Sequence, residues 1–284
     1  MKTIEQIQAL RALVLSWKQA GLTVGFVPTM GNLHEGHLSL VKLAQQKCDK
    51  VIVSIFVNPM QFGPDEDFDR YPRTFEEDSK KLMSLATDAV FVPSVQEMYP
   101  AGIEQTVVSV SDSITTVLEG ASRPGHFDGV STVVCKLFNM VQPDVAVFGQ
   151  KDYQQLLVIQ KMVLDLAMPI EIVAAPISRD LDGLALSSRN QYLSADHRQI
   201  APKLNVVLED IVMALESGNR GFDDLSSAAT QRLMDEGFDS VDYVQVCDSL
   251  TLQPATNESE VVVILAVARL GQTRLLDNKL VVCS

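Results

Sequence analysis

Cysteine is sparse: four residues, Cys48, Cys135, Cys247 and Cys283, are scattered through 284 positions. No CxxC pair exists, which excludes a zinc knuckle and a thioredoxin-like redox site. Scattered cysteines in a chain of this length, with no secretory signal, read as reduced thiols of a cytoplasmic protein. Long apolar runs are also missing. The longest, Val261 to Ala268, is too short to span a bilayer. Near the N-terminus Glu5, Gln6, Gln8 and Arg11 interrupt the apolar residues, so no signal-peptide core forms; Ile4, Ile7, Leu10, Leu13 and Val14 follow helical spacing instead. Positive charge is the third shortage: 23 Lys and Arg stand against 36 Asp and Glu, a net charge of −13. That balance excludes a generic nucleic-acid binder, which needs a basic face. It leaves room for one anionic ligand in a local cationic pocket. Disorder and fibrous classes are excluded by ordinary composition, 46% hydrophobic and 21% charged.

Within this frame, short apolar runs alternate with amphipathic stretches. Strands are expected at Leu22–Val27, Val51–Val57, Ala89–Val92, Val107–Val110, Val145–Phe148 and Ile170–Ala174, with helices near 36–48, 74–87, 129–141 and 152–167. Strands this apolar are buried on both faces, as in a parallel sheet covered by helices. The alternation predicts a doubly wound, Rossmann-like α/β domain over 1–177, with ligands at the carboxyl ends of its strands. From 178 to 284 the order changes to helices near 195–217 and 222–237, then strands at Val241–Val246, Val261–Ala268 and Thr273–Val282. This predicts a smaller α+β domain, expected to act as a lid over a cleft.

The segment after the first strand, Pro28-Thr29-Met30-Gly31-Asn32-Leu33-His34-Glu35-Gly36-His37, holds two of the four histidines. Gly31 permits a tight turn, and Gly36 lets a ligand approach the helix start. Helix N–H groups and the positive dipole end favour an anion there. Imidazoles three apart can donate to phosphate oxygens as charge grows in a transition state. The competing readings are simple capping and packing, or a metal pair. HxxH without a third ligand is a weak zinc signal and lacks the HExxH spacing.

Further motifs follow later expected strands. In Asn58-Pro59-Met60-Gln61-Phe62-Gly63, Gln61 offers both a donor and an acceptor. Glu76, Glu77 and Asp78 open a helix, where they complement its dipole or help hold Mg²⁺. In Arg123-Pro124-Gly125-His126, Arg123 anchors a carboxylate or shapes the loop, and His126 reads as a loop hydrogen-bonder. In Gly149-Gln150-Lys151-Asp152-Tyr153-Gln154-Gln155, Gly149 allows close backbone approach, Lys151 can meet phosphate, and Asp152 can cap the next helix. In Asp182-Gly183-Leu184-Ala185-Leu186-Ser187-Ser188-Arg189-Asn190, two hydroxyls and a guanidinium suit a triphosphate clamp.

His34-Glu35-Gly36-His37 resembles the HIGH signature of the nucleotidylyl-transferase superfamily, which includes class I aminoacyl-tRNA synthetases. The longer string PTMGNLHEGHLSLV resembles the signature of the pantoate–β-alanine ligase family, as do NPMQF, DRYPRT, RPGHFDGV, GQKD with its later Gln, and DGLALSSRN. The last is KMSKS-like, with Leu186 and Arg189 in place of Met and the second Lys, a departure usual in this family. The resemblance runs from Gly25 to Tyr192.

It implies ATP-dependent joining of pantoate to β-alanine through a pantoyl adenylate. It assigns catalysis to His37, His34, Lys151 and Arg189. It assigns ATP binding to Met30, Gly31, Asn32, Leu33, His34, Glu35, Gly36, His37, Gly149, Gln150, Lys151, Asp152, Ser178, Leu186, Ser187, Ser188 and Arg189. Pantoate and β-alanine fall to Gln61, Gln155, Asn58 and Arg123. The candidates for Mg²⁺ stay Glu77 and Asp78, from their place at a helix start. A cytoplasmic homodimer without nucleic-acid or membrane partners is expected. The alternatives are another nucleotidylyl transferase, a non-catalytic nucleotide-binding regulator, or a metal-dependent hydrolase, which lacks a ligand set.

Overall fold

The computed structural model describes residues 1–64 and 66–283, which form two compact units. The first comprises Met1–Gln150 and Gln155–Pro176. Its six strands are β1 (Lys2–Ile4), β2 (Val24–Thr29), β3 (Lys50–Ile55), β4 (Ala89–Phe91), β5 (Val145–Gly149) and β6 (Glu171–Ala175). All their pairings are parallel, in the order β1-β4-β3-β2-β5-β6. The principal helices are α1 (Ile7–Gln19), α2 (Glu35–Lys47), α3 (Phe75–Ser84), α7 (His126–Val141) and α8 (Tyr153–Asp165), with single turns α4 (Val95–Met98), α5 (Asp112–Thr115) and α6 (Glu119–Ser122).

Helices cover both faces of the sheet, and β2 shows how. Successive strand residues point to opposite faces. Phe26 meets Phe138 of α7 edge-on, with centroids 6.3 Å apart. Val27 joins Leu38, Val41 and Ala44 of α2 on the other face. Each such buried Phe, Leu or Val side chain contributes roughly 1.5–3 kcal/mol relative to exposure. Pro28 interrupts no ladder, because its missing N–H would face β5 where pairing has ended at Phe26↔Ala146. The chain reverses its direction across the sheet between β2 and β5, and such switch points open a crevice at the strand carboxyl ends.

The second unit comprises Lys151–Gln154 together with the chain from Ile177 onward. Helices α9 (Ala195–Ile200), α10 (Lys203–Glu216) and α11 (Phe222–Asp235) precede an antiparallel sheet of β7 (Ser240–Asp248), β8 (Val261–Leu270) and β9 (Thr273–Val282). Its core joins Leu204, Leu208, Ile211 and Leu233 to Val262, Ile264 and Ala266 of the central strand.

Three expectations are corrected. Ile4 lies in β1, paired with β4, and the first helix starts only at Ile7. Val107–Val110 is extended but forms no strand: Val108 N–H donates to Thr132 Oγ1 at 2.9 Å and the Val108 carbonyl accepts from Ser131 of α7. The helix expected over 195–217 is two helices, separated at Ala201-Pro202. No described helix is long and apolar enough to cross a membrane.

Candidate active site

Parallel strands place the loops after β2, β3 and β5 at one edge of the first unit's sheet. These loops carry the histidine segment, Asn58–Gln61 and Gly149-Gln150.

The chain leaves β2 through two left-handed residues, Gly31 at φ +85° and Asn32 at φ +51°. A side chain at Gly31 would be strained, and its Cβ would lie 3.0 Å from Ile55 and 3.2 Å from Asp78. From here most of the amides have an acceptor within the protein. Gly31 N–H donates to Thr29 Oγ1 (3.2 Å). Asn32 and Leu33 donate to the two oxygens of Asp78 (2.8 and 2.7 Å). His34 N–H donates to His37 Nδ1 (3.3 Å), and Gly36 N–H donates to His34 Nδ1 (3.1 Å). The two imidazoles thus form a reciprocal cap on α2, in the manner of a capping box. Their ring centroids are 4.1 Å apart.

This geometry refines the expectation that bare helix amides receive an anion. The amides of Asn32, Leu33, His34 and Gly36 are already engaged. What the site presents instead follows from the tautomer: an Nδ1 that accepts from an amide carries no proton, so each neutral ring bears its N–H on Nε2. Two Nε2–H donors side by side at the positive end of α2 suit phosphate oxygens.

Asn58 is 1% exposed. Its Oδ1 accepts from Tyr99 Oη (2.6 Å) and Met60 N–H (3.3 Å); its Nδ2 donates to the Gly129 carbonyl (3.1 Å) and Gln61 Oε1 (3.2 Å). All four of its hydrogen-bonding positions are filled, so the structure makes it a support for Gln61. Gln61 in turn approaches Met30 Sδ at 3.2 Å, which joins the loops after β2 and β3. Gln155 is half-buried in the first turn of α8.

Arg123 pairs in two-pronged fashion with Glu66, Nε to Oε1 at 2.6 Å and Nη2 to Oε2 at 2.5 Å. It also lies 3.0 Å from His126 Nε2, while His126 Nδ1 meets the Gln61 carbonyl at 2.8 Å. Burial, then the Arg123 charge, pushes the His126 pKa down to about 4, so the ring is neutral at neutral pH. Burial raises the Glu66 carboxyl, but the bonds and charge of Arg123 outweigh it and hold the group below its usual range. Of the two readings of Arg123, this arrangement is the loop-shaping one.

The proposed magnesium carboxylates do not converge. Glu77 is exposed, whereas Asp78 is fully buried with its oxygens on amides and on Thr74 Oγ1 (3.2 Å). The described residues contain no group of three or more His, Cys, Asp or Glu able to hold a metal ion. These two residues do not fit a Mg²⁺ site.

Within the second unit, one pocket gathers Lys151, Asp152, Ser187, Arg189, Asn190 and Arg274. Residues 178–186 form a narrow hairpin, with Leu186 N–H on the Ser178 carbonyl at 2.9 Å and Arg179 bridged to Ala185. The hairpin is anchored by Arg179, paired with the buried Asp277 of β9 (2.5 and 2.8 Å), and by Arg198, paired with Asp180 and Asp182. Ser187 Oγ then accepts from Arg189 N–H and starts the 3₁₀ turn Ser188–Tyr192. Asn278 Nδ2 holds the Lys151 carbonyl at 2.8 Å. The loop that carries Ser187, Ser188 and Arg189 therefore has a fixed base. Sequence reasoning missed Asn278, Asp277 and Arg179, because their partners lie far away along the chain. It also missed Arg274, whose guanidinium pairs with Asp242 at 2.6 Å.

A family model described as Pantoate-beta-alanine ligase matches residues 2–280. The chain belongs to that family. A pantothenate synthetase of Hydrogenovibrio crunogenus is 60% identical over 281 residues, covering 99% of each chain. One from Aeromonas hydrophila is 51% identical over 281 residues, 99% of this chain and 98% of its own. Among solved structures, the pantothenate synthetase of Thermus thermophilus has a TM-score of 0.91 at 43% identity, covering 98% of this chain and 99% of its own. The pantoate-beta-alanine ligase of Francisella tularensis, complexed with beta-gamma ATP and beta-alanine, has a TM-score of 0.83 at 36% identity, covering 99% of this chain and 97% of its own. Membership in the ligase family accounts for the motifs of both units, and the two sheets match its solved folds.

Proposed function

We propose that the chain joins pantoate to β-alanine at the expense of ATP, making pantothenate, AMP and pyrophosphate. The observation that carries this reading is the reciprocal His34–His37 cap at the end of β2, in a chain whose family match runs almost end to end. A solved relative complexed with beta-gamma ATP and beta-alanine supports both ligands.

In the first step a pantoate carboxylate oxygen attacks the α-phosphorus of ATP. The bond from that phosphorus to the bridging oxygen breaks, and pyrophosphate leaves. In the second step the β-alanine amine attacks the acyl carbon of the adenylate, AMP departs, and the amine loses a proton. Phosphoryl transfer needs positioning and charge neutralisation more than a protein nucleophile. The first unit supplies the Nε2–H donors of His34 and His37 and the Gly149-Gln150 strand end. It also supplies Gln61 and Gln155 for pantoate, with Asn58 and Arg123 as supports. The second unit supplies Lys151, Ser187, Ser188 and Arg189 for phosphates, Asp152 for the ribose, and the Ser178–Leu186 hairpin for the nucleotide. Magnesium would enter on the phosphates of ATP itself, a common mode for this ion. We place the enzyme in the cytoplasm as a homodimer, as the family resemblance implies.

The test is pantoate-dependent exchange of labelled pyrophosphate into ATP, followed by pantothenate formation on adding β-alanine. Exchange driven by another acid but not by pantoate would identify a different nucleotidylyl transferase and defeat the assignment.

A further inference from the structure

The aspartate that sequence alone offers to a metal does something else. Asp78 is fully buried in the first turn of α3, and its carboxylate faces the backbone between β2 and α2. Its oxygens accept from the amides of Asn32 and Leu33, and Thr74 Oγ1 adds a third bond. One turn on, Lys81 Nζ donates to the Leu33 carbonyl at 2.6 Å. Leu33 is thereby gripped at both its amide and its carbonyl. The next amide along the chain, His34 N–H, is the one that donates to His37 Nδ1.

We propose that Asp78 is a positioning residue: through Asn32 and Leu33 it fixes the backbone that directs His34 N–H onto His37, and so sets the tautomer and aim of both imidazoles. The bonds form one series, from Asp78 to two consecutive amides, to a third amide, to the ring. A buried carboxylate that accepts backbone amides is a strong, charge-assisted anchor. An asparagine of the same shape turns one acceptor into a donor and opposes an N–H to an N–H. The consequence for catalysis rests on the proposed adenylation, whereas the structural consequence does not.

The experiment therefore has two arms, each applied to D78N and to the milder T74V, which removes one bond to the carboxylate and serves if D78N fails to fold. The first arm is long-range ¹H–¹⁵N spectroscopy of the four histidines. The wild type should show His34 and His37 as neutral Nε2–H tautomers. The variants should shift those two rings and leave His197 in place. The second arm is a double-mutant cycle on pantoate-dependent pyrophosphate exchange. D78N should lower the rate about tenfold or more in the wild-type background and less than about threefold in the H37A background. T74V should show the same asymmetry at smaller amplitude.

Equal losses in both backgrounds mean general damage to the fold and overturn the inference. Unchanged spectra for His34 and His37 overturn it whatever the substrate. Shifted spectra in a protein whose wild type shows no pantoate-dependent exchange support the clamp and defeat the functional reading instead.

Discussion

Arg123 and Glu66 separate two roles that a sequence cannot. Their paired bonds, 2.6 and 2.5 Å, leave the guanidinium compensated by a carboxylate of its own chain. A loop-shaping pair predicts that R123A and E66A raise the KM for pantoate by similar factors, about threefold to tenfold, with little change in kcat. Direct anchoring of a substrate carboxylate predicts a large loss in R123A and almost none in E66A; steady-state kinetics on the two variants decides. His126, in the same cluster, gives a pH signature. Its folded pKa of about 4 lies below the value near 6.5 expected when unfolded, so unfolding takes up a proton anywhere between them. Stability from this group is complete above about pH 6.5, falls as pH drops to about 4, and changes no further below that. The slope approaches 1 kcal/mol per pH unit within the window, as an order of magnitude. Thermal unfolding of H126Q should be less pH-dependent across that window than the wild type. Identical slopes would mean that His126 is not held neutral.

At the scale of elements, the contact between α7 and the 3₁₀ turn Pro59–Gln61 decides where Gln61 sits. Gly129 permits it: a Cβ there would stand 2.3 Å from the Met60 carbonyl oxygen and 2.8 Å from Gln61 Cα. Replacing a helical glycine by alanine ordinarily gains up to about 1 kcal/mol of helix propensity. Here the obstacle is backbone, which no rotamer change relieves. G129A should therefore lower the melting temperature and raise the KM for pantoate together; a more stable variant with normal kinetics would contradict the close approach. This contact was invisible in the sequence, where Gly129 merely opens an expected helix. The parallel sheet was legible because runs such as Val51–Val57 and Val145–Phe148 are apolar on both faces, and the motif loops fell at their carboxyl ends. The strand β1 was not, since three residues carry no period and Ile4 also fits the helical spacing of Ile7 and Leu10. Val107–Val110 has the residues of a strand, but hydroxyls of α7 take the place of a neighbouring strand. Asp78 reads locally as one of three acids favouring a helix start; the amides it serves lie 45 and 46 positions away.

The net charge of −13 acts on the molecule as a whole, yet it is unevenly answered. In the second unit's pocket Lys151 and Arg189 stand near Asp152 and Asp277, and Asp277 is already paired with Arg179. Local cations can thus receive a compact anion such as a triphosphate while the remaining surface repels an extended one. A polynucleotide needs several phosphates contacted at once, each contact releasing counterions and steepening the salt dependence. A histidine signature shared with tRNA-binding enzymes makes that distinction worth measuring. Fluorescence anisotropy at about 50 mM salt should show no binding of tRNA or duplex DNA up to micromolar protein, while ATP binding by calorimetry persists under the same conditions. Repulsion between the acidic surface and the polyanion gives the reason: a protein this negative gains from the polyanion's field only where its own cations cluster. Binding of tRNA with a steep inverse dependence on salt would require a continuous basic face, and would overturn the expectation that the chain takes no nucleic-acid partner.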